Sequence, residues 1–394
     1  LFGAWYARYL GAENAVLVSQ KGPGIAGWIS YLLLFVILWG LFFNYYYYAI
    51  LSPSLSMSRP VIQMFTGYRI FFSFAMLSSG IGLVMRLFHS GVQRPAHVIL
   101  ILALGLSAVS LIPSFAAFGS AKNANAAYER FFGEDDFSFS YSLPQALFGG
   151  REKGYVVAKD ITYMTMQYDA EEYELKFDMY KSSREQEPSP VLLRIHGSGG
   201  RKGIMNKALM SESVAAKGYT VIDMNYGNEK IKPGNEQLAE NICTLLNYLY
   251  ENRDELRIDT DRIYLSGESR GGKMALMTAA AWSNNACLNL KEKVTVRGNI
   301  ILWGVMDDLF LREGKEKILS LEELNSDFPR TLFIDVTNDG SVQGQHLLQG
   351  VLYTLGVDSA NIELRYGMHG ANTDYYSFYG QLAEAYLLRF MGTE

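Results

Sequence analysis

Three stretches of this chain, Trp28 to Leu51, Ile70 to Met85 and Pro95 to Ala121, contain no Asp, Glu, Lys or Arg. With their flanks, each supplies the ~20 residues that an apolar helix needs to cross a bilayer. Trp28 and the Tyr45 to Tyr48 run stand at the two ends of the first stretch, where amphipathic rings favour the headgroup layer. Three successive uncharged runs are hard to bury in a water-soluble core. The spacing therefore predicts an all-α membrane region at 1–121, with three spans at about 28–51, 69–88 and 95–118.

Charge divides the chain in the same place. Residues 1–120 hold six Lys/Arg and one acid, Glu13, leaving 29 of 35 basic and 39 of 40 acidic residues to the remainder. The net charge of −5, with 49% apolar residues, excludes a disordered chain and a polybasic nucleic-acid binder. A cleaved signal peptide fits poorly, because the first apolar run starts late and two more come after it. The sequence opens at Leu1 and reads as a fragment with room for a further span upstream. Phe2, Trp5, Tyr6, Tyr9 and Leu10 have helical spacing around Arg8, which suits an interfacial helix and an ordinary helix end equally. With three spans, Arg8, Lys21, Arg86 and Arg94 fall on one side, and Arg59, Arg69, Lys122 and Arg130 on the other. That balance leaves the orientation open.

Residues 122–150 read as a connector: small and polar at first, then Glu134-Asp135-Asp136, then Gly149-Gly150. Its Phe131, Phe132, Phe137, Phe139 and Tyr141 are too many for a free linker and predict packing on the C-terminal domain. From 151 to 394, short β-rich runs alternate with amphipathic helices, the pattern of a mostly parallel sheet flanked by helices. Eight strands are expected, at 161–166, 173–179, 190–195, 219–224, 262–266, 297–303, 331–337 and 361–366. Helices are expected at 205–217, 235–251, 271–282, 342–355 and 374–391.

In such sheets the chemistry gathers where strands end. The strand Arg262 to Ser266 runs into Gly267-Glu268-Ser269-Arg270-Gly271 and then a helical run, which is Gly-x-Ser-x-Gly in a strand–turn–helix setting. That turn strains the serine backbone, exposes its hydroxyl and places it at a helix N-terminus that favours negative charge. A serine nucleophile needs donors for the oxyanion it creates. The strand Val191 to Ile195 leads into His196-Gly197-Ser198-Gly199-Gly200, a loop of the His-Gly-Gly-Gly type with Ser198 replacing one glycine. The donors are expected to be the backbone N–H groups of Gly197, Ser198 and Arg270. No Gly-Lys-Ser/Thr ending or Gly-x-Gly-x-x-Gly points to a phosphate cradle.

Five histidines compete for the role of base. His89 and His97 border the predicted spans, His196 braces the oxyanion loop, and His346 falls inside a predicted helix. His369, in the loop after the last strand, is the candidate. The orienting acid is expected between serine and histidine, at Asp339 just past a strand, with Asp307 and Asp308 as substitutes and Asp335, inside the strand, a weaker choice. Cys243 and Cys287 lack the spacing of a metal site and read as buried thiols instead of a bridge. No cofactor is indicated.

These residues resemble the α/β-hydrolase superfamily, in its esterase/lipase branch with a His-Gly-Gly-Gly loop, near the hormone-sensitive-lipase-like and small feruloyl/acetyl esterase groups. The stretch from Asn252 to Gly272 carries the likeness best, and the resemblance covers about 155–392. It implies an α/β-hydrolase fold and an ester hydrolase acting through Ser269, His369 and Asp339 by an acyl-enzyme. The same residues serve an acyltransferase, and a membrane-anchored binding module that lost catalysis is the alternative from another class. The spans add the bilayer as a partner and make a multi-pass membrane protein, with acyl lipids or acylated glycans as substrates. Three departures stand out: Ser198 in place of glycine, Arg270 after the nucleophile, and a short charged segment between 303 and 331 that leaves room only for a small cap. Arg270 either attracts an anionic substrate group or pairs with an acid such as Glu268.

Overall fold

The computed structural model describes 112–392 apart from short segments at 151, 169–170, 185–186, 199–200, 204, 228–233, 305–318, 338–341, 366–368 and 371–374, together with Ile81. The chain divides into two compact units, Leu1–Gly119 and Ser120–Glu394, and the second carries the sheet. The predicted spans 28–51, 69–88 (Ile81 apart) and 95–111 of the third lie outside the described residues, as do His89 and His97, while 112–118 form the start of a helix. Among the described residues, no helix is long and apolar enough to cross a membrane.

Eight strands form one sheet in the order β1-β2-β4-β3-β5-β6-β7-β8. They are β1 (Tyr155–Tyr168), β2 (Glu171–Ser182), β3 (Ser189–Ile195), β4 (Thr220–Met224), β5 (Ile258–Glu268), β6 (Val296–Leu302), β7 (Thr331–Val336) and β8 (Ser359–Leu364). β1–β2 and β2–β4 are antiparallel and every other pair is parallel. This order, with its crossed β3 and β4 and its helices between parallel strands, is that of the α/β-hydrolase fold. The helices are α1 (Ile112–Phe132), α2 (Leu143–Phe148), α3 (Met205–Ala216), α4 (Asn235–Glu251), the single turn α5 (Arg253–Leu256), α6 (Arg270–Ser283), α7 (Val342–Thr354) and α8 (Phe378–Gly392).

Strand parity explains how the sheet is covered. Val191, Leu193 and Ile195 of β3 join one apolar cluster with residues of α4, α6 and α7. The alternate residue Arg194 turns the other way and donates to Ser211 of α3. On that second face Tyr264 of β5 donates to the Met391 carbonyl of α8. β4 and β7 are buried at every position, as strands covered on both faces must be.

The connector is not free chain. α1 extends to Phe132, so the polar start of the connector is helical. Its aromatics pack on α8: Phe132 against Phe390, Phe137 against Tyr386, and Phe139 and Tyr141 against Phe378. Arg389 of α8 fastens this layer. Its guanidinium lies 4.0 Å from the Tyr128 ring centre and 4.5 Å from that of Phe137, and it donates to both carboxylate oxygens of Asp135. That hydrogen bonding, opposed by partial desolvation, holds the Asp135 carboxyl below its usual range.

One expectation is overturned. Cys243 and Cys287 form a disulfide with Cα atoms 6.3 Å apart, within bridging reach. Cys243 sits on α4 and Cys287 just past α6; these helices pack side by side on the sheet and bring together positions 44 residues apart.

Candidate active site

β5 ends in buried Glu268, and the next residue, Ser269, adopts φ 54° and ψ −121° before α6 begins at Arg270. A positive φ is costly for a serine and persists where neighbours fix it. The Ser269 N–H donates to the Leu302 carbonyl of β6 at 3.1 Å, and the Ser269 carbonyl accepts from Gly272 N–H at 3.0 Å. The glycine spacing has a steric cause. A Cβ on Gly267 would overlap the Gly271 carbonyl, and one on Gly271 would overlap that of Ile195.

His369, beyond β8, brings Nε2 to 2.9 Å from Ser269 Oγ, so the hydroxyl is placed to donate to the ring. The structure thus brings together two predicted residues 100 positions apart in the chain. Asp339, Asp307 and Asp308 lie outside the described residues. Asp335 is buried in β7, where its carboxylate accepts from the Val336 N–H and from Gln345 of α7. His346 is an exposed residue of α7 beside Glu363, with Nε2 2.6 Å from a carboxylate oxygen.

The loop after β3 rests directly on Ser269. A Cβ on Gly197 would stand 3.0 Å from both the Glu268 carbonyl oxygen and Ser269 Cβ, so a side chain there fits only if its neighbours give by a few tenths of an ångström. Gly197 is buried and Ser198 exposed; Gly199 and Gly200 lie outside the described residues. Among the described residues, the N–H groups of Gly197, Ser198 and Arg270 donate to no backbone acceptor.

Several supporting residues were not legible in the sequence. The His196 ring stacks on Tyr226 at 4.6 Å, and the Tyr226 hydroxyl donates to the His196 carbonyl. Lys202, at the loop's far end, bridges Asp160 and Asp178, and its N–H donates to Asn225. The next N–H, of Gly203, donates to Asp223. The Lys202 bond holds the Asp160 carboxyl below its usual range, while burial pushes that of Asp223 up. The pairing suggested for Arg270 is corrected: Glu268 is bound to Arg194, 3.0 Å away in the buried layer under the elbow, while Arg270 donates to Asn235. Arg194 faces Glu268 because both side chains leave adjacent strands on the same side of the sheet. The segment expected to form a small cap falls largely in 305–318, outside the described residues.

Among the described residues, no cluster of three or more His, Cys, Asp or Glu is placed to hold a metal ion.

The BD-FAE family model matches residues 177–322, which include Gly197, Ser198, Ser269 and Arg270 but end before Asp339 and His369. Solved structures with a similar course include a bacterial heroin esterase, at 19% identity and TM-score 0.47 over 70% of this chain and 92% of that one. Esterase B from Lactobacillus rhamnosis is 17% identical, TM-score 0.46, over 71% and 92%. An esterase from Pyrobaculum calidifontis is 15% identical, TM-score 0.48, over 71% and 92%. No curated protein matches the sequence. Likeness at this level carries no statement about activity, and the fold assignment rests on strand order and direction.

Proposed function

We propose that this protein is a membrane-anchored serine hydrolase that cleaves carboxylic esters. The observation that carries the reading is the 2.9 Å approach of His369 Nε2 to the hydroxyl of a serine held at positive φ between a strand and a helix. Ser269 Oγ attacks the ester carbonyl as His369 takes its proton, and the N–H groups of Gly197, Ser198 and Arg270 receive the oxyanion. The proton then passes to the departing alcohol, and water attacks the acyl-enzyme by the same route in reverse order. Asp339 is assigned to orient His369 from chain order alone: Ser269 comes after β5, Asp339 after β7 and His369 after β8.

Membrane anchoring rests on the three uncharged stretches before residue 121. The Cys243–Cys287 bridge supports a catalytic unit on the oxidising side of that membrane. The three-span reading then assigns Arg8, Lys21, Arg86 and Arg94 to the cytoplasmic side. The bilayer setting favours acyl lipids or acylated surface glycans as substrates.

A fluorophosphonate probe tests the mechanism without knowledge of the substrate. Detergent-solubilised protein is expected to label, and Ser269→Ala to abolish labelling. Absence of labelling in the folded wild type would overturn the reading.

A further inference from the structure

Arg270 follows Ser269 directly, yet among the described residues its guanidinium forms no ion pair with an acid. Glu268, the acid before Ser269, is buried and bound to Arg194. Glu236, in the first turn of α4, is exposed and makes no ion pair with Arg270. The Arg270 Nη2 donates to the neutral Asn235 Oδ1 at 2.9 Å, and among the described residues this side chain meets no carboxylate. The residue is partly exposed.

Two neighbours fix where this cation acts. Asn235 opens α4, whose N-cap, Gly234, supplies no side-chain hydrogen bond, so partial positive charge from that helix end lies on the same flank. Tyr226, which holds the His196 carbonyl, accepts through its own carbonyl from Asn241 of the same helix α4. The guanidinium therefore stands on the oxyanion-loop flank of Ser269. It has five N–H donors in a rigid fork, and Asn235 engages one of its nitrogens. Such a fork matches the paired oxygens of a carboxylate or phosphate.

Resting on the hydrolase reading above, we propose that Arg270 selects esters bearing a second, anionic group, a carboxylate or phosphate, near the scissile carbonyl. The anion can belong to the acyl part, as in the half-ester of a dicarboxylic acid, or to the alcohol part, as in an esterified sugar acid.

Matched substrate pairs test this on the full chain in detergent. Mono-4-nitrophenyl adipate against 4-nitrophenyl hexanoate reports an acyl-side anion, and 4-acetoxybenzoate against 4-acetoxybenzamide an alcohol-side anion. In one pair the wild type is expected to prefer the anionic member by about tenfold or more in kcat/KM, mainly through KM. Arg270→Met should collapse that ratio, Arg270→Lys should retain part of it, and added salt should weaken it. Fluorophosphonate labelling of each variant shows that its serine site is intact. A ratio near one in both pairs, or one that Arg270→Met leaves unchanged, overturns the inference while the hydrolase reading stands. A wild type that neither labels nor cleaves any of the four overturns both.

Discussion

Arg194 and Glu268 meet 3.0 Å apart on adjacent strands beside Ser269, with side chains almost wholly out of water. Ser211 completes the pair by accepting a second guanidinium N–H. Removing one partner takes from the other its opposite charge at 3.0 Å in a buried layer. Glu268→Ala is expected to cost about 3–5 kcal/mol of stability. Replacing both by apolar residues of similar volume should recover much of that loss. Urea unfolding of the single and double variants measures the difference, and equal losses in both would contradict the account.

His369→Gln is expected to lower ester turnover by about a thousandfold or more, with little change in unfolding midpoint, because the ring touches the reacting hydroxyl and lies at a partly exposed site. Steady-state kinetics beside thermal unfolding separates this from a folding defect.

Gly197→Ala tests the oxyanion loop. The added methyl meets the Glu268 carbonyl and Ser269 Cβ at 3.0 Å, so the loop must retreat from the nucleophile. Loss of one aligned donor would lower kcat by about 10²–10³. The measurement is kcat on a neutral ester in a variant shown by circular dichroism to be folded.

The Cys243–Cys287 bridge joins residues 44 positions apart. Reduction, or the paired replacement Cys243→Ser with Cys287→Ser, is expected to cost about 2–4 kcal/mol. Non-reducing peptide mass spectrometry of protein taken from its native source checks the bridge itself. Free thiols there would argue against an oxidising compartment for the catalytic unit.

Acid should loosen the aromatic layer under α1. The Arg389 hydrogen bonds hold Asp135 below its usual carboxylate value, so the folded state binds that proton less readily than the unfolded chain does. The contribution is therefore present above the unfolded value of about 4 and is lost as pH falls through the lower folded value. Limited proteolysis around residues 133–142 at falling pH should reveal it. Asp135→Asn should already be susceptible at neutral pH.

The core of the domain was legible in the sequence because local rules govern it. The strand–turn–helix around Ser269 needs glycines at fixed positions, and buried parallel strands read as unbroken apolar runs such as Val191 to Ile195. α4 is observed at its expected bounds, Asn235–Glu251, because its buried residues recur at helical spacing. What local pattern cannot show is which distant groups meet. Asn235 as the partner of Arg270, the acids that grip Lys202, and the bridged cysteines all depend on how helices pack across the sheet. α1 was hidden for another reason: Gly119, Ser120, Asn123 and Asn125 are weak helix formers, and docking against α8 outweighs them.

The Arg389 cage also sets where this protein can be cut. A fragment begun at β1, as the sheet alone would suggest, strips Tyr128, Phe132, Phe137 and Phe139 from α8 and leaves the Arg389 charge without Asp135. The aromatic face so uncovered is the kind of surface by which truncated domains stick to one another. A piece that keeps this face covered must begin ahead of Tyr128, inside α1.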